Sequence, residues 1–218
     1  MNMQKNRWEA PTIPVAEADG LIKISDLNTD VIVKFPLWEG ASPGDRYGLE
    51  LNGASISTGV LVSPLQSSGE LVSLKIPPER LAEDGVHAVT CFGIVLENGV
   101  VLRSLPTLIR VDLTQPGSAL IGPMLFANIN YGEVLVGRVS AFFGMEPGDL
   151  IQTLCNNTEG PTFLVQPENL TTTPIEIRFT KDFLESLQSD KVTLTYHVTD
   201  RAGNRSILAQ SVDLTLAL

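Results

Sequence analysis

Residues 36–53 read PLWEGASPGDRYGLELNG, and residues 142–157 read FFGMEPGDLIQTLCNN. Pro43-Gly44-Asp45 in the first returns as Pro147-Gly148-Asp149 in the second, 104 residues later. The same spacing carries Lys34 onto Arg138, Trp38 onto Phe142, Gly40 onto Gly144 and Asn52 onto Asn156. Further on it carries Phe92 onto Tyr196, Ile94 onto Val198 and Gly99 onto Gly203. Val111-Asp112-Leu113-Thr114 and Val212-Asp213-Leu214-Thr215 match at 101, which implies three extra residues near the last hairpin of the first copy. A register held across separated blocks is the mark of a repeated unit. It divides the chain into residues 1–114, with 1–9 expected to be flexible, and residues 115–218. The junction Thr114-Gln115-Pro116-Gly117-Ser118 is short and polar and holds a Pro-Gly break, so two domains joined end to end are expected.

Within each copy the apolar residues alternate with period two, the pattern of strands with one buried face. Val31, Val33 and Phe35 alternate with Ile32 and Lys34; Val72, Leu74 and Ile76 alternate with Ser73 and Lys75. Tyr47, Leu49 and Leu51 line one face after the Pro-Gly-Asp turn, and Val86 to Leu96 makes a long strand. Glu97-Asn98-Gly99 is expected to turn it into Val100 to Val111, with an Asn-Gly hairpin in which both central residues tolerate positive φ. The second copy follows the same plan. Leu135 to Ala141, then Ile151, Thr153 and Cys155, then Ile175, Ile177 and Phe179, then Val192 to Val198 read as strands, with a return over Ser206 to Leu216. Helical spacing is confined to Glu79–Asp84 and Asp182–Gln188. Roughly seven strands per copy, with no crossover helices, predict an all-β chain: two tandem immunoglobulin-like antiparallel β-sandwiches.

The 218 residues carry 25 acidic and 15 basic side chains, a net charge of −10, and each half holds −5. That balance argues against a nucleic-acid groove, which needs clustered Lys and Arg. No apolar run approaches the ~18 residues that span a bilayer, and residues 1–10, MNMQKNRWEA, show no apolar segment of a secretory signal. Neither membrane insertion nor a signal is therefore expected. Cys91 and Cys155 are the two cysteines. They fall in different copies, at positions whose counterparts are Thr195 and Leu51, so no disulfide is expected and both thiols read as small apolar groups. Trp38 and Phe142 are the expected large anchors of the two cores.

The two opening blocks resemble the W/F-x-G-x-x-x-G-D segment of bacterial immunoglobulin-like tandem repeat domains of the invasin/adhesin-like type. Residues 192–216, VTLTYHVTDRAGNRSILAQSVDLTL, resemble the closing hairpin of those repeats, with its Y-x-V-x-D-x-A-G-N-x-S pattern. The first copy departs from that closing pattern, reading FGIVLENG over residues 92–99. The resemblance spans both halves. It implies a bacterial spacer or recognition module, placed at the cell surface or secreted, with no catalytic residues to carry over.

Several side chains invite a sharper reading. Gly40-Ala41-Ser42-Pro43-Gly44 fits the G-x-S-x-G nucleophile elbow, but that chemistry needs a strand-elbow-helix setting, and the second copy has Glu146 in place of Ser42. Asp45 and Asp149 read as turn residues whose carboxylates accept backbone N–H groups, since no run of carboxylates suited to calcium is present. Asp19, Asp26 and Asp30 read as solvated. His87 and His197, with expected counterparts Lys191 and Gly93, read as exposed strand positions. Of Trp8, Trp38, Tyr47 and Tyr131, the candidates for a sugar platform, Trp38 and Tyr47 read as core. Asn156, Asn169 and Asn204 open N-x-S/T triplets and carry no assigned role. The expectation is a non-enzymatic protein without cofactor, metal or catalytic residues, serving structural presentation or protein–protein recognition and adhesion through an unidentified protein partner. A carbohydrate-binding module is the alternative, with a glycan as partner, and a subunit of a toxin or enzyme assembly comes third. Edge strands and the loops at one end of a sandwich are where binding is expected.

Overall fold

A computed structural model describes residues 8–127, 133–171 and 174–215. The chain forms two compact units, the first ending at Leu113 and the second beginning at Thr114. In unit 1 the strands are β1 (Leu21–Ile22), β2 (Val31–Pro36), β3 (Arg46–Leu51), β4 (Ala54–Ser55), β5 (Val60–Leu61), β6 (Leu71–Ile76), β7 (Gly85–Ile94), β8 (Val101–Arg103) and β9 (Thr107–Val111). One sheet runs β1-β9-β7-β3-β4, with β5 also on β3 and β8 on β7; the facing sheet pairs β2 with β6. In unit 2 the strands are β10 (Leu125–Phe126), β11 (Val134–Val139), β12 (Leu150–Cys155), β13 (Thr158–Leu164), β14 (Ile175–Thr180), β15 (Lys191–Thr199) and β16 (Val212–Thr215). Here β10-β11-β14 faces β13-β12-β15-β16. The protein is an all-β sandwich protein, as the alternation predicts.

The alternation fixes what is buried. In unit 1, Val31, Val33 and Phe35 meet Tyr47, Leu49, Val89, Cys91 and Ile109 across the sandwich. In unit 2, Leu135, Ile175, Ile177 and Phe179 meet Ile151, Cys155, Leu194 and Tyr196. Each such side chain contributes about 1.5–3 kcal/mol when taken fully out of water. Trp38 is the expected anchor at 4% exposure, whereas Phe142 is only half-buried at the edge of its core.

Several expectations need correcting. The sheets are not wholly antiparallel: β1 runs parallel to β9, with Leu21 opposite Arg110 and Ile22 opposite Val111. This two-residue strand covers the open edge of β9, and both its side chains are fully buried. Helical structure comprises 3-10 turns at Pro78–Arg80, in place of Glu79–Asp84, and at Pro167–Leu170, and a helix, α2, at Lys181–Ser186. A further short helix, α1, spans Ile24–Leu27. The return over Ser206 to Leu216 first meets β15 through a Thr199–Arg205 bridge and the N–H groups of Ser206 and Ala209, which donate to Val198 and Tyr196, and becomes a continuous ladder at β16; residues 216–218 lie outside the described residues.

The spacing between the units also shifts along the chain. Leu49 pairs with Cys91, and Thr153 pairs with Tyr196. The spacing at β7 and β15 is therefore 105, and the counterparts change: Cys91 answers to Tyr196, Phe92 to His197 and His87 to Val192. The volumes exchange across the ladder, Leu opposite Cys in one unit and Thr opposite Tyr in the other. Thr107 pairs with Val89 and Val212 with Leu194, so the last hairpin has the same length in both units. The matched Val-Asp-Leu-Thr segments are out of register: Val111 stands opposite Gly85, but Val212 stands opposite Leu194.

The Asn98-Gly99 turn differs from expectation as well. Gly99 has φ +70 and donates to Val95 across a wider loop. The tight two-residue turns lie instead at Asn52-Gly53, with φ 52 and 79, and at Asn156-Asn157, with φ 49 and 65. Positive φ at both positions is what a type I′ hairpin requires.

Candidate functional site

The Pro-Gly-Asp turns show what the shared sequence does. In unit 1 the Asp45 carboxylate accepts the N–H of Ser42 at 2.9 Å and of Leu96 at 2.8 Å. It thereby ties the turn before β3 to the hairpin after β7. Its counterpart Asp149 accepts the N–H of Glu146 at 2.9 Å. Ser42 is exposed, and its hydroxyl donates to the Gly40 carbonyl at 3.2 Å. The histidine of its own unit, His87, is engaged with Glu83 and Asn52.

Both histidines, His87 and His197, are buried, not exposed as their strand positions implied, at 7% and 8% exposure. His87 Nε2 donates to the Glu83 carbonyl at 3.0 Å, and its Nδ1 accepts from the Asn52 amide at 3.1 Å. Asn52 in turn accepts the Ala88 N–H at 2.9 Å. The hairpin residue Asn156 makes the matching bond to the Thr193 N–H at 2.9 Å. Each asparagine clamps its turn to the neighbouring strand. His197 Nδ1 accepts from the Arg205 guanidinium at 3.2 Å. Burial foremost, then the Arg205 charge, lowers the pKa of His197, and Glu159 opposes that.

Both thiols are free and fully buried, and burial pushes each up to about 12. Tyr196, also pushed up to about 12 by burial, donates its hydroxyl to the Gly122 carbonyl at 2.8 Å. Asp30 pairs with Lys75 at 3.0 Å, Asp19 accepts the Leu21 N–H, and Asp26 is half-buried in the first turn of α1. Among the described residues no group of three or more His, Cys, Asp or Glu could hold a metal ion, and no helix is long and apolar enough to cross a membrane.

Among the described residues each unit carries a groove. In unit 1 a groove of about 690 Å³ is lined by Trp8, Glu9, Pro36, Trp38, Glu39 and Arg103. Trp8 is not part of a loose leader. Its ring stands edge-on to Trp38 at 5.4 Å and to Phe35 at 6.0 Å, and its Nε1–H donates to the Pro36 carbonyl at 2.8 Å. Residues 1–7 of the expected flexible segment lie outside the described residues, as does Tyr131. The unit 2 groove, about 590 Å³, is lined by Leu125, Phe126, Arg138, Ser140, Leu170 and Pro174. Neither borders a nucleophile–base pair; each can shelter a small apolar or ring-shaped group.

The outer faces of the larger sheets hold residues that sequence reasoning passed over. In unit 1, Arg103 makes a bidentate ion pair with the buried Glu50, at 2.9 Å from Nε to Oε2 and 2.9 Å from Nη2 to Oε1. Beside it Phe92 lies over Gly48, where an added Cβ would stand 2.4 Å from the ring. In unit 2 the register places His197 opposite Gln152 at the same point. The signal was present as outward positions of the alternating strands, but it says nothing of which outward residues cover one another.

No family model matches the chain, and no curated protein matches it. Among solved structures it is similar to one from work on the host cell surface retention of a 1.5-MDa bacterial ice-binding adhesin, at 16% identity and a TM-score of 0.51, over 97% of this chain. This chain spans 65% of that one's length. It is also similar to fibronectin(III)-like modules of Clostridium thermocellum CbhA, at 13% identity and a TM-score of 0.47, over 94% of this chain and 93% of that one. At such identity the first likeness shows a shared fold.

Proposed function

We propose that the chain is a pair of tandem immunoglobulin-like modules, residues 1–114 and 115–218, of bacterial adhesin-like type, serving structural presentation or protein recognition without catalysis. The observation that carries this reading is the use made of its chemically capable side chains. Ser42, Asp45, His87, Asn52 and Asn156 all hold turns or strand ends in place. Their geometry is that of a scaffold whose sandwiches must keep their shape. The shared fold with a bacterial adhesin structure supports the same reading and, as part of it, placement at a cell surface with a protein partner. The full chain, assayed against ester, peptide and glycoside substrates, should show no turnover that Ser42→Ala abolishes. Turnover lost on that substitution would overturn the proposal.

A second reading, carbohydrate binding, is favoured by the two indoles and two carboxylates around the unit 1 groove. A glycan array probed with the full chain should then give signals that Trp8→Ala removes. Clean arrays would discard it.

A further inference from the structure

We infer that β14 is a self-complementary edge through which two copies of this chain pair antiparallel, Ile177 opposite Ile177 of the second copy. The strand reads Ile-Glu-Ile-Arg-Phe-Thr over Ile175–Thr180, with odd positions buried and even positions exposed. It hydrogen-bonds on one side only, to β11, and among the described residues no strand pairs with its other side. The Lys181 N–H donates to the Glu133 carbonyl at 3.0 Å, in line with the β11–β14 register. Antiparallel backbone groups alternate in direction. Residues 175, 177 and 179 therefore bond inward to β11, and the N–H and C=O groups of Glu176 and Arg178 point away from it, to a side on which no strand forms a ladder although β13 of the facing sheet comes within 8 Å of β14. An unpaired row of this kind is a template for another strand.

The side chains select the occupant. About an axis through Ile177, Glu176 of one copy falls opposite Arg178 of the other, and the reverse, an isologous contact. Their outward backbone groups then meet as hydrogen-bonded pairs, and their side chains meet as opposite charges, the favourable cross-strand arrangement. Arg178 makes no ion pair within its own unit among the described residues, although the protein is acidic. Glu176 already accepts from Arg138 at 3.0 Å on the neighbouring strand, with both side chains nearly half exposed. In the pair, each Glu176 lies between its own Arg138 and the second copy's Arg178, so charges alternate across the joint. The corresponding edge in unit 1 lacks this property. About Leu74 of β6, self-pairing would set Ser73 opposite Lys75 and gain no ion pair.

A six-residue edge is a small interface of the weak, transient class, and its association should weaken further as salt screens the exposed charges. Sedimentation velocity of the full chain up to about 1 mM should show a monomer–dimer equilibrium. Glu176→Arg and Arg178→Glu, each alone, place like charges opposite one another and should weaken association at least about tenfold. An equimolar mixture of the two variants restores opposite charges across the joint and should regain dimers. Both side chains are exposed, and recovery in the mixture shows that each variant is folded. A wild-type chain that stays monomeric, single variants that dimerise unchanged, or a mixture that stays monomeric would each overturn the inference.

Discussion

Units 1 and 2 lay the same backbone register over different chemistry. At one point on the outer face, Gly48 stands opposite Phe92 in unit 1, and Gln152 stands opposite His197 in unit 2. The missing side chain at Gly48 makes a shelf, and Phe92 lies on it at 7% exposure beside the Glu50–Arg103 pair. Gln152 fills that shelf and turns its amide to the carbonyls of Thr153 and Gly160, at 3.0 and 2.9 Å. His197 instead meets Arg205. A glycine thus stands opposite an apolar ring in unit 1, and a glutamine stands opposite a titratable ring in unit 2. The clamps beneath are common to both units, so the frame is shared and the faces are particular.

The largest difference expected lies in the cores. Trp38→Ala removes a buried indole and should destabilise unit 1 by about 3–5 kcal/mol. Phe142→Ala removes a half-buried ring and should cost unit 2 less than half as much. Each unit holds one buried thiol, Cys91 or Cys155, so labelling of each, followed by mass spectrometry in rising denaturant, reads the two stabilities separately. Equal losses would break the contrast between a sealed and an open core end.

Gly48→Ala is the next test. The added methyl would meet the Phe92 ring and the Ser57 hydroxyl at about 2.5 Å, and overpacking of this kind costs about 1–3 kcal/mol. Gln152→Ala in unit 2 should cost less, since the amide leaves but nothing collides. Cys91 labelling should accelerate for the first variant, with Cys155 labelling nearly unchanged for both.

The clamps should behave alike. Asn52→Ala and Asn156→Ala each lose a residue that tolerates positive φ and a side-chain bond to the adjacent strand, about 1–2 kcal/mol in either unit. A large disparity between them would mean that the two turns do not play the same part. These clamps were half visible in the sequence. The repeat set Asn52 on Asn156, and Asn-Gly names a tight hairpin, but a second Asn-Gly at residues 98–99 carries the same local signal. Only the strand register separates the two. The Pro-Gly-Asp turns and the inward faces were legible because they are local: a tripeptide and a period of two. The parallel strand β1 was not, since two residues show no period and its pairing depends on chain return from Ile22 to Val111. The one-residue change of spacing at β7 and β15 was also hidden. An extra residue between β3 and β6 in unit 1 and two extra around α2 in unit 2 nearly cancel, and the remainder looks like the original repeat.

The smallest expected effect concerns the rings themselves. Burial and Arg205 lower the pKa of His197 in the folded chain, so folding favours the neutral imidazole. The unfolded chain then binds the proton more readily, and stability rises with pH wherever that difference holds. This contribution is complete above the unfolded value of about 6.5 and is lost as pH falls through the lower folded value. Unit 2 should therefore soften on acidification from pH about 7.5 through the histidine range, read as faster Cys155 labelling relative to a His197→Gln control. Phe92, at the same point in unit 1, has no proton to gain. If the wild-type and control chains show the same pH dependence, the ring that replaces Phe92 is a packing element like it, and the two faces differ in shape alone.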